Sequence, residues 1–333
     1  MIWSLQVLRF VAALMVVYVH AAQTALTATG SNGLVPHHLG AVGLSGVDVF
    51  FVVSGVIIAR IAPGRTAREF AWSRFRRIVP FYLLCCIPFL FMSMRTGWGW
   101  RDGLATFLLW PATDVMTAPI LPVAWTLCFE MVFYLAAALI LVDRRWAYAL
   151  PCLYALAFLL RPLGPVFQFL GNPIILEFLL GVAIAFAPAR RAGIWGIPLG
   201  AAALVGAGLL GLAPSGGTME FLAGENGLQR VLVYGLPAAA IVYGTLQVRA
   251  QESVWTYLGG GSYALYLTHT LPVSALLGLW TVFPVAADVI VLVGVLVSVL
   301  LAWRVHELFE KPILKALREP RRRSAGPIRR DAA

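Results

Sequence analysis

Long apolar stretches recur from one end of the chain to the other. Each runs for about 17 to 24 residues, which as an α-helix is long enough to cross the ~30 Å hydrocarbon core of a bilayer. The sequence therefore predicts an all-α fold, a polytopic transmembrane helical bundle of about ten helices. The expected spans are 5–25, 43–61, 78–94, 122–142, 146–161, 170–188, 193–212, 230–247, 258–280 and 286–304. An even number of spans places both termini on the same side of the membrane.

The composition leaves little room for a soluble domain. Hydrophobic residues make up 60% of the 333 residues and charged residues 12%, whereas a soluble chain is about 25% charged. The cysteines Cys85, Cys86, Cys128 and Cys152 lie in apolar runs without metal-site or disulfide-framework spacing, so we interpret them as packing residues. The first apolar run follows Arg9 with no basic residue before it, so we interpret it as a span and not a cleaved signal peptide.

The formal net charge of +10 is explained by membrane topology. If the N-terminus is cytoplasmic, the inner segments carry a basic tail and Arg60, Arg65, Arg68, Arg74, Arg76, Arg77, Arg144, Arg145, Arg190, Arg191 and Arg249. The outer loops then carry only Arg95, Arg101, Arg161 and Arg230. This asymmetry follows the positive-inside rule. We therefore place both termini in the cytoplasm, exclude nucleic acid as a partner, and divide the chain into a membrane domain, 1–318, and a disordered basic tail, 319–333.

The first span carries an arginine and a histidine whose spacing places them on one face of a helix. Arg9 and His20 are eleven residues apart, about three helical turns, so their side chains share one face about 16 Å apart along the axis. Ionisable groups at membrane depth are costly and usually functional. The alternative is that Arg9 only extends to the inner lipid head groups and that His20 makes an interfacial hydrogen bond.

Two carboxylates are expected near the depth of His20. Asp48 lies about five residues into the second span, and Glu130 lies at a comparable or slightly deeper level in the fourth. A carboxylate beside an imidazole makes a possible general-base arrangement. Either carboxylate could instead form a buried structural pair with an arginine or a tryptophan.

Three further polar residues lie inside spans, and a basic cluster lies at the inner face. Glu177 and His269 fall near mid-span, with Tyr266 three residues before His269. The segment "REFAWSRFRRIVP" carries Arg68, Arg74, Arg76 and Arg77, and guanidinium groups suit phosphate binding, although any cytoplasmic loop is basic. His37 and His38 have no ligand-spaced partner, so no metal site is expected.

Seven short motifs in order carry a family resemblance. They are "LQVLRFVAALMVVYVH", "GVDVFFVVSGVII", "FAWSRFRRIVPFY", "AWTLCFEMVFY", "EFLLGV", "GSYALYLTH" and "HELFEKP". Together they resemble the integral-membrane acyltransferase family 3, which O-acylates exported carbohydrates, and the resemblance covers essentially all ten spans. The size is similar to that of the exopolysaccharide-modifying branch, which includes the succinoglycan acetyltransferases.

The resemblance implies that an acyl group, usually acetyl from acetyl-CoA, passes from the cytoplasm to a sugar hydroxyl at the outer side. It implies an acyl-CoA donor, a carbohydrate acceptor, a bacterial inner-membrane location and no permanently bound cofactor. The expected donor site is Arg9, Arg74, Arg76 and Arg77. His20 would be the general base or a transient acyl carrier, assisted by Glu130 or else Asp48. Tyr266 and His269 would line the path or stabilise an oxyanion, and Glu177 would line the path. The alternative for His269 is a structural hydrogen bond.

Several alternatives stay open at this level. The transferred group could be succinyl, and the acceptor could be O-antigen, peptidoglycan, a periplasmic glucan or an exported macrolide-like molecule. A transporter or glycan flippase would also place charges on an interior path and follow the same topology. The sequence does not indicate an oligomeric state.

Overall fold

The computed structural model describes residues 2–93, 97–214 and 216–317, and all regular elements in these ranges are helical. Arg95 and the tail 319–333 lie outside the described residues. The α-helices are α1 Trp3–Thr29, α2 His37–Gly40, α3 Gly46–Ile61, α4 Ala67–Ser93, α5 Trp100–Phe107, α6 Trp125–Val142, α7 Trp146–Leu159, α8 Pro165–Leu170, α9 Ile175–Phe186, α10 Gly196–Leu209, α11 Thr218–Ala223, α12 Gly227–Arg230, α13 Leu236–Thr245, α14 Val254–Gly260, α15 Ser262–Thr268, α16 Thr270–Trp280, α17 Ala287–Val305 and α18 Lys311–Ala316. The turns Val231–Gly235 and His306–Glu310 are π-helical.

Seven helical segments in the described ranges are long and apolar enough to cross a membrane. They are Trp3–Thr29, His37–Ile61, Ala67–Ser93, Pro122–Val142, Pro165–Phe186, Arg191–Leu209 and Ala287–Ala316. The other three expected spans contain shorter helices: α7 has 14 residues, 227–245 includes a π-helical turn, and 254–280 is interrupted at Gly261 and His269. The all-α polytopic bundle is confirmed, and the count of ten spans stays a prediction.

Helices α3 and α9 pack backbone to backbone in the centre of the bundle. A Cβ atom added at Gly55 would lie 2.1 Å from the carbonyl oxygen of Phe178, and one added at Gly181 would lie 2.1 Å from that of Val52. Small residues allow this close approach where no hydrophobic effect drives helices together inside lipid. The two helices therefore form one closely packed unit.

The segment 98–121 lies partly at the surface and partly in the bundle. Its sequence is compatible with a helix on the outer surface, and α5 exposes Trp100 and Phe107. Leu109, Ala112 and Leu121 are buried, and Tyr82 donates a hydrogen bond to the carbonyl oxygen of Thr106 at 2.9 Å. Because apolar side chains gain by packing, these residues after α5 lie within the bundle. As a result, α6 starts inside the bundle.

The exposed turn of this segment is tied down by an ion pair. The Nε of Arg101 donates to Oδ1 of Asp114 at 2.8 Å, and these hydrogen bonds lower the pKa of Asp114 to about 2. Both side chains are exposed, so the pair adds little stability. It fixes the orientation of the turn relative to α5.

Three of the four cysteines are packing residues as expected. Cys85, Cys86 and Cys128 are buried, whereas Cys152 is exposed on α7. An exposed side chain on a membrane helix has no packing role inside the protein. The packing interpretation therefore does not apply to Cys152.

Candidate active site

Helix α1 carries Arg9 and His20, whose spacing in the sequence predicts that they share one face. Arg9 and His20 lie on one unbroken α-helix, so their separation along the axis is about 16 Å. Arg9 lines a cavity with Tyr266 of α15, and His20 contacts His269 at the end of α15. Both side chains therefore face the same neighbouring helix.

His20 and His269 form a pair of imidazoles. The Nδ1 atom of His20 lies 3.3 Å from Nε2 of His269, and the ring centroids are 5.0 Å apart. Each Nδ1 atom also contacts the carbonyl oxygen four residues before it, at 2.9 Å from Val16 and 3.1 Å from Leu265. His269 is fully buried, whereas His20 is half-buried. No carboxylate among the described residues hydrogen-bonds to either ring.

The cavity at the Arg9 end has a volume of about 120 Å³ and is lined by both apolar and polar side chains. Its charged and hydroxyl-bearing side chains include Arg9, Arg74, Arg77, Glu130, Tyr263 and Tyr266. Arg74 and Arg77 are three residues apart on α4 and so project from one face. Three of the four predicted donor-site arginines therefore meet here.

The three cavity arginines differ in their partners. Arg77 donates to Oε1 of Glu310 at 2.7 Å, and the other Glu310 oxygen lies 2.6 Å from Nδ1 of His306. Arg74 lies 5.9 Å from the centroid of the Tyr134 ring. Within the described chain, neither Arg9 nor Arg74 forms an ion pair with a carboxylate. Both interact electrostatically with the Glu130 carboxylate in the same cavity, and neither is tied to it by a direct ion pair, so both guanidinium groups can contact an anion.

Arg76 points away from this cavity. Its Nη1 donates to the carbonyl oxygen of Leu317 at 3.3 Å, and its side chain borders a separate surface groove with Arg65 and Trp72. Arg76 is two residues from Arg74, about 200° around the helix, so the two cannot share a face. The structure therefore separates Arg76 from the other predicted donor-site residues.

Glu130 lies at the Arg9 end and not beside His20. Its carboxylate lines the cavity, where it accepts a hydrogen bond from Ser54 at 3.1 Å and another from the hydroxyl of Tyr134. The sequence placed Glu130 at the depth of His20 or slightly deeper, but α6 starts inside the bundle and so carries Glu130 as far as the Arg9 end. The contacts do not support its predicted contact with the imidazole, and its part in the chemistry stays a prediction.

Asp48 is held by an arginine that the sequence analysis had counted as a loop residue. Arg230 donates from Nε to Oδ1 of Asp48 at 2.9 Å and from Nη2 to Oδ2 at 2.8 Å, and both side chains are buried. Glu177 is fully buried beside this pair and interacts electrostatically with both members. Asp48 therefore has the structural partner that the sequence analysis left as its alternative role.

The guanidinium group of Arg230 also lies against aromatic rings. Its central carbon is 4.6 Å from the ring centroid of Phe221, 5.6 Å from Trp125 and 5.7 Å from Tyr234. The signal that could have identified Arg230 is its position at the outer start of an apolar helix, within reach of a carboxylate in the outer half of another span. Opposite charges within reach of each other in a membrane usually pair.

Helix α15 connects the two ends of the site. Tyr263 and Tyr266 line the cavity, and His269 follows three residues after Tyr266. The Tyr266 hydroxyl donates to the carbonyl oxygen of Val123 at 2.8 Å and lies 3.0 Å from Oγ1 of Thr126. The rings of Tyr266 and His269 have centroids 6.1 Å apart. A row of aromatic side chains thus leads from the cationic cavity to the histidine pair.

Comparisons with known proteins give a consistent result. Residues 2–304 match the family described as "Acyltransferase domain". The exopolysaccharide production protein ExoZ of Rhizobium meliloti (strain 1021) is 30% identical over 330 residues, which covers 87% of this chain and 95% of ExoZ. The acyltransferase MdmB of Streptomyces mycarofaciens is 28% identical over 303 residues, which covers 80% of this chain and 77% of MdmB. No solved structure matches the chain.

Proposed function

Since this chain belongs to the Acyltransferase domain family and is a multi-pass membrane acyltransferase, we propose that it transfers an acetyl group from acetyl-CoA to a hydroxyl group of an exported polysaccharide. The observation that carries the proposal is the arrangement along α1. A cavity with unpaired guanidinium groups surrounds Arg9, and a pair of imidazoles surrounds His20 on the same face. Donor and acceptor thus have chemically different places on one helix.

The donor end is suited to phosphate. Arg9 and Arg74 have no ion-pair partner in the described ranges, and Arg77 shares Glu310 with His306. Guanidinium groups bind phosphate oxygens through two parallel hydrogen bonds. The phosphates of CoA would therefore bind at the cytoplasmic mouth of the cavity, and the thioester arm would extend along α15 towards His20.

The acceptor end is suited to proton transfer. As general base, His20 takes the proton of the sugar hydroxyl while its oxygen attacks the thioester carbonyl carbon; the C–O bond forms and the C–S bond breaks. The proton then goes to the CoA thiolate. As an acyl carrier, His20 would first take the acetyl group from the thioester and then pass it to the hydroxyl. Both routes require the imidazole nitrogen to be accessible, which agrees with the half-buried position of His20.

The acceptor is inferred from the relatives. The name of ExoZ refers to exopolysaccharide production, and the match covers nearly the whole of that protein. We therefore propose an exopolysaccharide hydroxyl as acceptor and the inner membrane of a bacterium as location. The positive-inside distribution of arginines supports a cytoplasmic donor side.

The test replaces His20 and follows both products. In membranes supplied with acetyl-CoA and the polysaccharide, His20→Ala should lower release of free CoA thiol and of O-acetyl polysaccharide by at least about 100-fold. The matched control is His38→Ala, which removes an exposed histidine from an outer loop and should leave both rates unchanged. O-acetylation of the polysaccharide is read by mass spectrometry. Acetylation at the normal rate in a correctly inserted His20→Ala protein would remove His20 from the mechanism.

A further inference from the structure

We propose that His269 is the positioning residue of His20: it accepts a hydrogen bond from Nδ1 of His20 and so leaves Nε2 as the nitrogen that reacts. This inference rests on the proposed function of His20. It assigns to a second histidine the place that a carboxylate takes in many hydrolase triads. The sequence analysis had given His269 a path-lining, oxyanion-stabilising or structural role, and no role towards His20.

The hydrogen-bond partners fix the tautomer of both rings. A backbone carbonyl oxygen only accepts, so Nδ1 of His269, 3.1 Å from the oxygen of Leu265, must carry a proton. In the neutral ring Nε2 is then an acceptor. By the same reasoning, Nδ1 of His20 carries a proton, because it lies 2.9 Å from the oxygen of Val16. That proton is shared between Val16 and Nε2 of His269, so the N–H group of each neutral ring meets an acceptor.

The backbone around His269 holds the accepting ring still. Its main-chain N–H donates to the carbonyl oxygen of Leu265 at 3.2 Å, and its ring Nδ1 uses the same oxygen. The residue lies at the junction between α15 and α16 and is fully buried. Because the ring is closed off from bulk solvent, its Nε2 lone pair stays directed at His20. The more accessible ring is thus oriented by the less accessible one.

Both chemical routes then use the same atom. When Nε2 of His20 removes the hydroxyl proton, the resulting imidazolium still donates from Nδ1 to the neutral His269 ring. When Nε2 instead attacks the thioester carbonyl carbon, the C–S bond breaks, the CoA thiolate leaves, and the N-acylated ring keeps the same Nδ1 hydrogen bond. Attack through Nδ1 is blocked because Val16 and His269 already occupy it. The pair therefore supplies one reactive nitrogen in a fixed orientation.

The test compares two substitutions of similar size at His269. His269→Gln keeps a side-chain oxygen that can accept from Nδ1 of His20, whereas His269→Leu fills the space without an acceptor. We expect His269→Gln to retain at least about a tenth of the wild-type kcat and His269→Leu to lose about 100-fold or more. KM for acetyl-CoA should stay unchanged in both variants. Thr268→Val is the matched control, since it removes a buried hydrogen bond to Ala264 on the same turn and should keep normal activity.

The outcomes separate this inference from the proposed function. Equal kcat values for the Gln and Leu variants, whether both are active or both are inactive while folded, would overturn the positioning role of His269. If the Gln and Leu variants have equal kcat values and the His20→Ala protein is inactive, the proposed role of His20 stands. Full activity of His20→Ala would overturn the proposed function itself. Stability of each variant in detergent, relative to Thr268→Val, shows whether a loss of kcat comes from unfolding.

Discussion

Arg230→Gln should destabilise the protein far more than an ordinary substitution in a membrane helix. The guanidinium group donates two hydrogen bonds to Asp48, and both side chains are buried among aromatic rings. Removing one member of a buried pair leaves the other as an uncompensated charge, which costs about 3–5 kcal/mol. We therefore expect the free energy of unfolding to fall by about that amount.

Replacing Asp48 should lower the free energy of unfolding less than replacing Arg230, because the structure contains a second carboxylate near the guanidinium group. Glu177 lies beside the pair, and its carboxyl group interacts with both Asp48 and Arg230. In Asp48→Asn, Arg230 keeps an amide oxygen and gains Glu177 as its counter-ion, so the cost should be about 1–3 kcal/mol. In a Glu177→Gln background no carboxylate remains for Arg230, and Asp48→Asn should then cost about 3–5 kcal/mol. The coupling between these sites is measured as a double-mutant cycle.

The assay is reversible unfolding in mixed micelles, titrated with sodium dodecyl sulfate and followed by tryptophan fluorescence. The control is Arg161→Gln, because within the described ranges Arg161 donates only to the neutral carbonyl oxygens of Ala223 and Gly224. Its loss leaves no buried charge and should cost about 1–2 kcal/mol. The reasoning is refuted if Arg230→Gln is no more destabilising than Arg161→Gln, or if the cost of Asp48→Asn is the same with and without Glu177.

Two further predictions follow from the cavity and from the helix packing. Arg9→Ala and Arg74→Ala should each raise KM for acetyl-CoA by about tenfold or more, because each loses a charge-assisted contact, whereas Arg76→Ala should change KM less than threefold. KM is measured from steady-state release of the CoA thiol. Equal effects at all three positions would contradict the assignment of Arg9 and Arg74 to the donor site. Gly181→Ala should destabilise the protein by about 1–3 kcal/mol because its methyl group would collide with the backbone of α3. Gly206→Ala, where the added group meets nothing within 4 Å, is the control in the same unfolding assay, and a similar small effect for both would contradict the packing argument.

Periodicity and depth predicted the features that belong to a single helix. The shared face of Arg9 and His20 follows from helical geometry alone, and the grouping of Arg74 and Arg77 on one face of α4 follows in the same way. The expected position of Glu130 failed because it depended on where α6 begins relative to the rest of the bundle. That start is set by the burial of the preceding segment, which hydropathy along the chain does not show.

Contacts between segments far apart in the sequence were the second feature that could not be predicted from the sequence. His20 and His269 are separated by 249 positions, and Asp48 and Arg230 by 182. A single sequence gives the depth of each group but not its neighbours, because the order of helices around the bundle is decided by packing. Depth alone made Asp48 a candidate catalytic group, and only its hydrogen bonds from Arg230 in the folded protein showed its partner.

The buried residues of segment 97–121 have a consequence for the membrane in which the protein lies. A membrane protein that takes one substrate from each side must still prevent protons and ions from crossing, since a leak would dissipate the membrane potential. Leu109, Ala112 and Leu121 place apolar side chains within the bundle. We therefore expect this segment to act as a seal, and deletion within it to make the enzyme a route of ion leakage as well as a poorer catalyst.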